Sequence, residues 1–157
     1  MNHSIRVGFS FGLTSGVITT LGLMVGLQSG TNSRLAVIGG LLTIAIADAL
    51  SDSLGIHVSE EAECRHSSKE VWESTLATFA SKFLLALSFL IPVLLFELPT
   101  AMLVAIAWGI IVLVFLSMST ARREKKNSLK ATAEHVGIAI LVVLITHYLG
   151  LWVSSVF

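Results

Sequence analysis

Two aspartates, Asp48 and Asp52, lie one helical turn apart within an apolar stretch long enough to cross a lipid bilayer. A charged side chain at the centre of a membrane helix costs about 2.5–3.5 kcal/mol on the insertion scale, so the pair costs roughly 5–7 kcal/mol. The apolar residues around them return only about 3–6 kcal/mol. These carboxylates must therefore face protein, water or a cation, and the chemistry open to them is cation binding and proton exchange.

The two aspartates belong to a polar stripe on one helix face, which Ser51, Gly55 and Ser59 extend at helical spacing. The stripe leads into a short acidic segment, residues 59–71. If the second and third helices extend beyond the membrane, acids from both would face each other there. A metal-binding cluster is then predicted, with a solvated loop as the alternative, and its members are Glu60, Glu61, Glu63, Glu70 and Glu73.

A lysine in the third apolar stretch is a candidate counter-charge for these acids. Lys82 and Asp48 both lie about ten residues from the same end of their helices, which at ~1.5 Å per residue places them at one depth. We expect an ion pair between them that leaves Asp52 as the freer carboxylate. The alternative is that Lys82 is a counter-charge displaced when a cation arrives. Ser15 and Thr19 predict a hydroxyl-lined conduit beside the acids, or simply close helix packing.

Composition identifies an integral membrane protein, because 54% of the 157 residues are hydrophobic, 13% are charged and the mean hydropathy is +0.86. Apolar runs of about 20 residues predict spanning helices. The sequence contains five, so we expect an all-α membrane protein with one transmembrane domain, residues 1–157, and no nucleic-acid partner. The predicted spans are 5–27, 35–58, 72–96, 100–120 and 131–154.

The basic residues are unevenly placed along the chain. With the N-terminus inside, and with Lys82 left out because it lies within the third span, Arg34 is the only basic residue on the outer side. This distribution predicts an N-in, C-out topology in a cell membrane, by default a prokaryotic plasma membrane and in a eukaryote a vacuole-like one. The inner set comprises Arg6, Arg65, Lys69, Arg122, Arg123, Lys125, Lys126 and Lys130.

Several stretches resemble the vacuolar iron transporter family. In the first two spans these are Phe11-GLTSGVITTLGLMVG-Leu27, Gly39-Gly40 and Ala49-Leu50-Ser51 followed by Gly55 and Ser59. Later in the chain they are Leu76-ATFASKFLLALSFLIPVL-Leu95, Gly137 and Tyr148-Leu149-Gly150. The resemblance covers nearly the whole chain and includes the number of helices and their orientation.

The resemblance implies export of ferrous iron or manganese from the cytosol in exchange for protons, through a pathway between the subunits of a homodimer. It also implies metal binding by cytosolic extensions of the second and third helices. Three positions that carry the family's motif differ here, since they fall at Ser15, Asp52 and Ile56. Where the family has a methionine, this chain has the Asp52 carboxylate, a harder ligand that favours Mn²⁺, Fe²⁺ or Mg²⁺ over copper or zinc.

We therefore expect a divalent-cation transporter working by metal–proton exchange, with its pathway lined by the first two helices at a dimer seam. The glycine series of the first helix would permit that contact. The transported metal would be substrate, and no resident cofactor or enzyme activity is expected. One alternative is a non-transporting metal sensor or structural protein. Another is a Mg²⁺-dependent membrane enzyme using Asp48 and Asp52, although the Asp-Gly dipeptide of such phosphotransferases is missing from the sequence.

Overall fold

The computed structural model describes residues 3–123 and 125–157, and its regular structure there is entirely helical. Five helical units are long and apolar enough to cross a membrane, so the expectation of a multi-pass all-α protein is confirmed. The third unit consists of two helices that meet at Phe89, just before Pro92. The helices are α1 (His3–Thr31), α2 (Arg34–Ala62), α3 (Ser68–Ser88), α4 (Leu90–Leu95), α5 (Leu98–Arg123) and α6 (Ser128–Val156).

Side-chain caps define where three of the helices begin. Ser33 accepts a hydrogen bond from the Ala36 N–H at 3.2 Å at the start of α2. Ser67 and Glu70 form a reciprocal capping box at the start of α3. Asn127 Oδ1 accepts from two N–H groups of the first turn of α6. Each cap contributes about 0.5–2 kcal/mol. The caps keep the turns short, so consecutive long helices run antiparallel.

Helix α1 occupies the centre of the bundle and contacts α2, α3, α5 and α6. Its glycines allow the close approaches. A Cβ atom on Gly12 would lie 2.6 Å from the Thr78 carbonyl oxygen of α3. Towards the other end, a Cβ on Gly150 of α6 would lie 2.5 Å from the Gly26 carbonyl oxygen. The predicted packing role of these glycines is confirmed, and their partners are helices of the same chain.

The α1 glycines pack within the chain, and a contact between two copies through them stays a prediction. Helix α3 lies against Gly8, Gly12 and Gly16, while α6 lies against Gly22, Gly26 and Gly30. Gly26 and Gly30 are only partly buried, and with Gly22 they line an open cleft of about 680 Å³ between α1, α2 and α6. Helices α2 and α6 have the smallest buried fractions of the five units and form the periphery.

The two halves of the bundle differ in chemistry. We call the end where α1, α3 and α6 begin the basic end, because it carries the eight basic residues of the inner set. Most of the apolar core lies in the opposite half, around Leu21, Leu41, Phe89 and Met102. Near the basic end, α1 and α3 instead meet through glycines and buried hydroxyls, for example Thr78 donating to the Gly8 carbonyl at 3.2 Å. The candidate site lies at the boundary of these halves.

Candidate functional site

Five predicted side chains come together near the middle of their helices: Asp48, Asp52, Lys82, Ser15 and Thr19. Asp48 is at the centre of α2, Lys82 is near the middle of the α3–α4 unit, and Ser15 and Thr19 flank the middle of α1. Residues four apart share a helix face, so Ser15 and Thr19 form a pair of hydroxyls one turn apart. This pair matches the one-turn separation of Asp48 and Asp52 on α2. Three helices therefore present polar groups at one level.

The Lys82 ammonium is the hub of this cluster. Its Nζ lies 2.6 Å from Asp48 Oδ2, is bonded to Asp52 Oδ2 as well, and donates to Ser15 Oγ at 3.0 Å. The predicted Lys82–Asp48 ion pair is confirmed. The expectation that Asp52 would be the freer carboxylate is wrong, because acids one turn apart on the same face both lie within reach of one ammonium group. All three ammonium protons have acceptors.

Hydroxyl groups of α1 complete the coordination of the two carboxylates. Ser15 Oγ donates to Asp52 Oδ2 at 2.6 Å. The Thr19 hydroxyl is 2.8 Å from Asp48 Oδ2 and 3.0 Å from the Ser15 carbonyl oxygen, and its single proton can serve either acceptor. Only Oδ2 of each aspartate takes part in these contacts. Neither Oδ1 atom is hydrogen-bonded to another residue within the described parts of the chain.

The site combines incomplete charge balance with partial exposure. One ammonium faces two carboxylates, so the fully ionised cluster keeps one negative charge. The lysine side chain is only 2% exposed, whereas those of Asp48 and Asp52 are 25% and 22% exposed. The carboxylates are therefore covered by protein on the side of Lys82 and partly open on another side. Hydrocarbon cannot compensate such groups, so something polar or a second protein surface must cover that side.

The three small residues of the predicted stripe lie on the outer face of α2. Ser51, Gly55 and Ser59 are exposed. Asp48 and Asp52 are partly buried beside this exposed row. That face points away from the other helices of this chain, so Ser51 does not join the hydroxyl cluster on α1.

The five glutamates predicted as a metal cluster do not converge in the structure. Four have local partners: Glu61 is 3.5 Å from His57, Glu63 is 3.6 Å from His66, Glu73 is 3.8 Å from Lys69, and Glu70 caps α3 through Ser67. Glu60 is buried, and its Oε2 has no hydrogen-bond partner among the residues that the structure describes. Across residues 3–123 and 125–157, no three His, Cys, Asp or Glu side chains are grouped so as to hold a metal ion. Three of these glutamates contact a basic or imidazole side chain three or four residues away on the same helix or turn, instead of converging on a shared site.

Three histidines not predicted as site residues link neighbouring helices. Each ring nitrogen Nδ1 lies within hydrogen-bonding distance of a hydroxyl: His57 with Thr75 at 2.9 Å, His135 with Ser117 at 2.7 Å, and His147 with Ser29 at 2.6 Å. The last two tie the peripheral α6 to α5 and α1. These contacts satisfy polar groups between helices. Counting residues places His57 level with Thr75 and His135 level with Ser117, but depth alone does not select one hydroxyl among many.

No protein-family model, curated protein or solved structure matches this chain at a significant level. The resemblance to the vacuolar iron transporter family therefore stays a prediction that rests on the residues quoted for it. Any functional conclusion must come from the cluster around Lys82. What that cluster can do follows from its charge, its depth and the hardness of its oxygen ligands.

Proposed function

We propose that this protein carries a divalent cation, Mn²⁺ or Fe²⁺, across the membrane in exchange for protons at the Asp48–Lys82–Asp52 cluster. One observation carries the proposal: two partly exposed carboxylates share a single buried ammonium group halfway along the helices. A purely structural ion pair needs only one acid, and a second one leaves a charge that is costly at this depth. A visiting proton or cation supplies the missing positive charge.

Charge balance gives the exchange its stoichiometry. A divalent ion bound to both aspartates cannot coexist with an ammonium group at the same oxygens, since like charges a few ångströms apart in a poorly solvated site repel strongly. Two states are neutral. One holds the Lys82 ammonium plus one carboxyl proton, and the other holds the metal with Lys82 uncharged. Passing from the first to the second releases two protons per divalent ion, because metal ligands must be deprotonated.

The ligand set fits a hard divalent ion. The carboxylate oxygens of Asp48 and Asp52 are the anionic ligands, while the hydroxyls of Ser15 and Thr19, already within 2.6–2.8 Å of them, are neutral oxygen donors. Oxygen-only sites favour Mn²⁺, Fe²⁺ and Mg²⁺ over softer ions. In an N-in orientation the basic end lies on the cytosolic side. Movement from that side outward is the direction that the family resemblance implies.

Transport by purified protein in sealed liposomes tests this function. An inward Mn²⁺ gradient is applied while internal metal and pH are followed with separate dyes. We expect saturable metal uptake with two protons moving the opposite way, and no response to an imposed membrane voltage. Flux that follows voltage and carries no protons would establish a pore instead. The absence of metal flux in vesicles containing folded protein would contradict transport altogether.

A second candidate function, a structural or sensing role without transport, is favoured because all three ammonium protons of Lys82 have acceptors within the protein. Its ammonium bonds to α1 and to both acids on α2, so it joins three helices whether or not any ion is carried. In that case the protein is a non-transporting membrane component or a metal sensor. The liposome assay separates these possibilities, because a sensor binds metal without passing it and a structural cluster does neither.

A homodimer through α2 would cover the open side of the acids. Residues at four-residue intervals along the outer face of this helix are all small and exposed, and no atom outside the helix lies within 4 Å of a Cβ built on Gly39 or Gly55. Small residues at this spacing let two membrane helices approach closely. We call this surface the α2 small-residue face, and it consists of Gly39, Thr43, Ala47, Ser51, Gly55 and Ser59.

Gly55→Leu is expected to separate the dimer into monomers without unfolding them. The leucine finds open space in the single chain but blocks close approach of a second α2. We expect about tenfold weaker association, as for losing 1–2 kcal/mol of helix packing. Light scattering in detergent measures it.

Gly137→Leu on α6 is the matched control, since that glycine is equally exposed and also has no neighbour within 4 Å. It should leave association unchanged. Equal behaviour of the two variants would rule out the α2 small-residue face as the interface.

A further inference from the structure

A cleft of about 470 Å³ lies at the basic end, between the first turns of α1 and the last turns of α5. It is separate from the cluster around Lys82. Two arginines stand at its mouth, Arg6 of α1 and Arg123 of α5. No described residue that lines it is acidic. We call it the arginine cleft.

The guanidinium groups of the arginine cleft are not used by the fold. Neither Arg6 nor Arg123 forms an ion pair or side-chain hydrogen bond with another residue in the described part of the chain. Other charged side chains at this end do find partners, as Lys69 does with Glu73 at 3.8 Å. A guanidinium offers five donors in a planar fork that suits phosphate oxygens. Two guanidinium groups without described partners at one cleft are suited to binding a phosphate group.

The lining of the arginine cleft changes from charged to apolar with depth along α5. On α5 the charge at Arg123 is followed inward by the hydroxyls of Ser119 and Thr120 and then by the exposed ring of Phe115. On α1, Arg6 is followed inward by the exposed ring of Phe9 and then by Ser10, so this helix supplies the second charge and a second aromatic surface. The eight residues from Arg123 to Phe115 correspond to about 12 Å at ~1.5 Å per residue. Charge, then hydroxyl, then hydrocarbon is also the order of a phospholipid: phosphate, glycerol ester, acyl chain.

We propose that the arginine cleft binds one anionic phospholipid, with its phosphate between Arg6 and Arg123 and an acyl chain along Phe9 and Phe115. Basic pockets between membrane helices are suited to anionic headgroups. A soluble phosphate would satisfy the arginines but would leave the aromatic rings exposed. A zwitterionic lipid would place its own cation near two arginines. The net negative charge and the acyl chain together select the ligand, independently of whether the protein transports metal.

Native mass spectrometry of the whole protein in detergent micelles tests the proposal, with phosphatidylglycerol and phosphatidylcholine carrying identical acyl chains as probes. We expect one phosphatidylglycerol to bind in preference to phosphatidylcholine. In the double variant R6Q/R123Q that affinity should fall by about tenfold or more, since two basic contacts to the headgroup are lost. The matched control is R65Q/R122Q, which removes the same charge at the same end from residues that do not line the cleft.

The outcomes are decisive in both directions. Loss confined to R6Q/R123Q, with unchanged thermal unfolding, supports the site. Equal loss in both double variants would show only general attraction of anionic lipid to the basic end and would overturn it. Displacement of phosphatidylglycerol by glycerol phosphate at equal concentration would assign the cleft to a soluble phosphate. If R6Q/R123Q fails to fold, R123Q alone carries the comparison against R122Q, since both of these arginines are exposed.

Discussion

Lys82→Met is expected to destabilise the protein by about 3–5 kcal/mol, which is the usual cost of removing one partner of a buried ion pair. The substitution leaves Asp48 and Asp52 side by side at the level of the bilayer centre with no counter-charge. Methionine fills the space of the lysine stem, so the loss comes from charge rather than from a cavity. Unfolding by denaturant in mixed micelles, followed by far-UV circular dichroism, measures the effect.

The triple variant K82M/D48N/D52N provides the control, because it removes all three charges and keeps the side-chain sizes. It should recover most of the lost stability and fail to transport metal. A K82M protein that is as stable as wild type would show that the acids are already neutral, or covered from their open side. Transport by the triple variant would place the cation pathway elsewhere.

Asp52→Asn is expected to fold normally and to lose metal transport by at least about 100-fold, in line with the sensitivity of metal sites to their ligand shells. One carboxylate remains to neutralise Lys82, so the variant has a balanced ion pair and the asparagine can still accept a hydrogen bond from Ser15. Its metal affinity should also depend less steeply on pH, because the carboxyl proton is no longer present and metal binding releases only the proton of Lys82. Isothermal titration with Mn²⁺ at several pH values measures the affinity.

Glu61→Gln is the matched control for this experiment. It removes one carboxylate near the end of α2, where Glu61 is exposed and lies 3.5 Å from His57 rather than in the cluster. We expect its flux to equal that of the wild type. Full transport by Asp52→Asn would exclude Asp52 from the mechanism, and equal loss in both variants would point to a general effect of surface charge.

The number of spans and the depth of the site could be predicted from sequence because both depend on spacing along a single helix. Apolar runs marked the five spans, and counting residues placed Lys82 level with Asp48. The second contact of Lys82, with Asp52, could not be predicted, since it depends on how α3 is rotated against α2. The glycines of α1 show the same limit: their spacing indicated close approach, and only the fold shows that α3 and α6 are the partners.

The acidic segment failed as a predicted metal site for a different reason. Several oxygen ligands near one turn can either converge on an ion or pair with nearby bases and N–H groups. Here Glu70 is used as a helix cap and Glu73 lies beside Lys69 at helical spacing. Such local contacts cost little conformational entropy, because the two residues are already neighbours on one helix. A cluster of several residues costs more, so the local contacts form instead. Arg6 and Arg123 illustrate the opposite case, because only the tertiary fold brings residues so far apart in sequence to one cleft.

The position of Lys82 has a consequence for how this protein enters a membrane during synthesis. Its two acidic partners are on α2, and Asp52 precedes the lysine by 30 residues. While only α2 has left the ribosome, its acids have no amine to neutralise them. Release of α2 alone would place a doubly charged segment in lipid, which is unfavourable. Helices α2 and α3 must then leave the insertion machinery together as a hairpin. A nascent chain that stops in the turn between them should remain associated with the insertion machinery instead of partitioning into the bilayer.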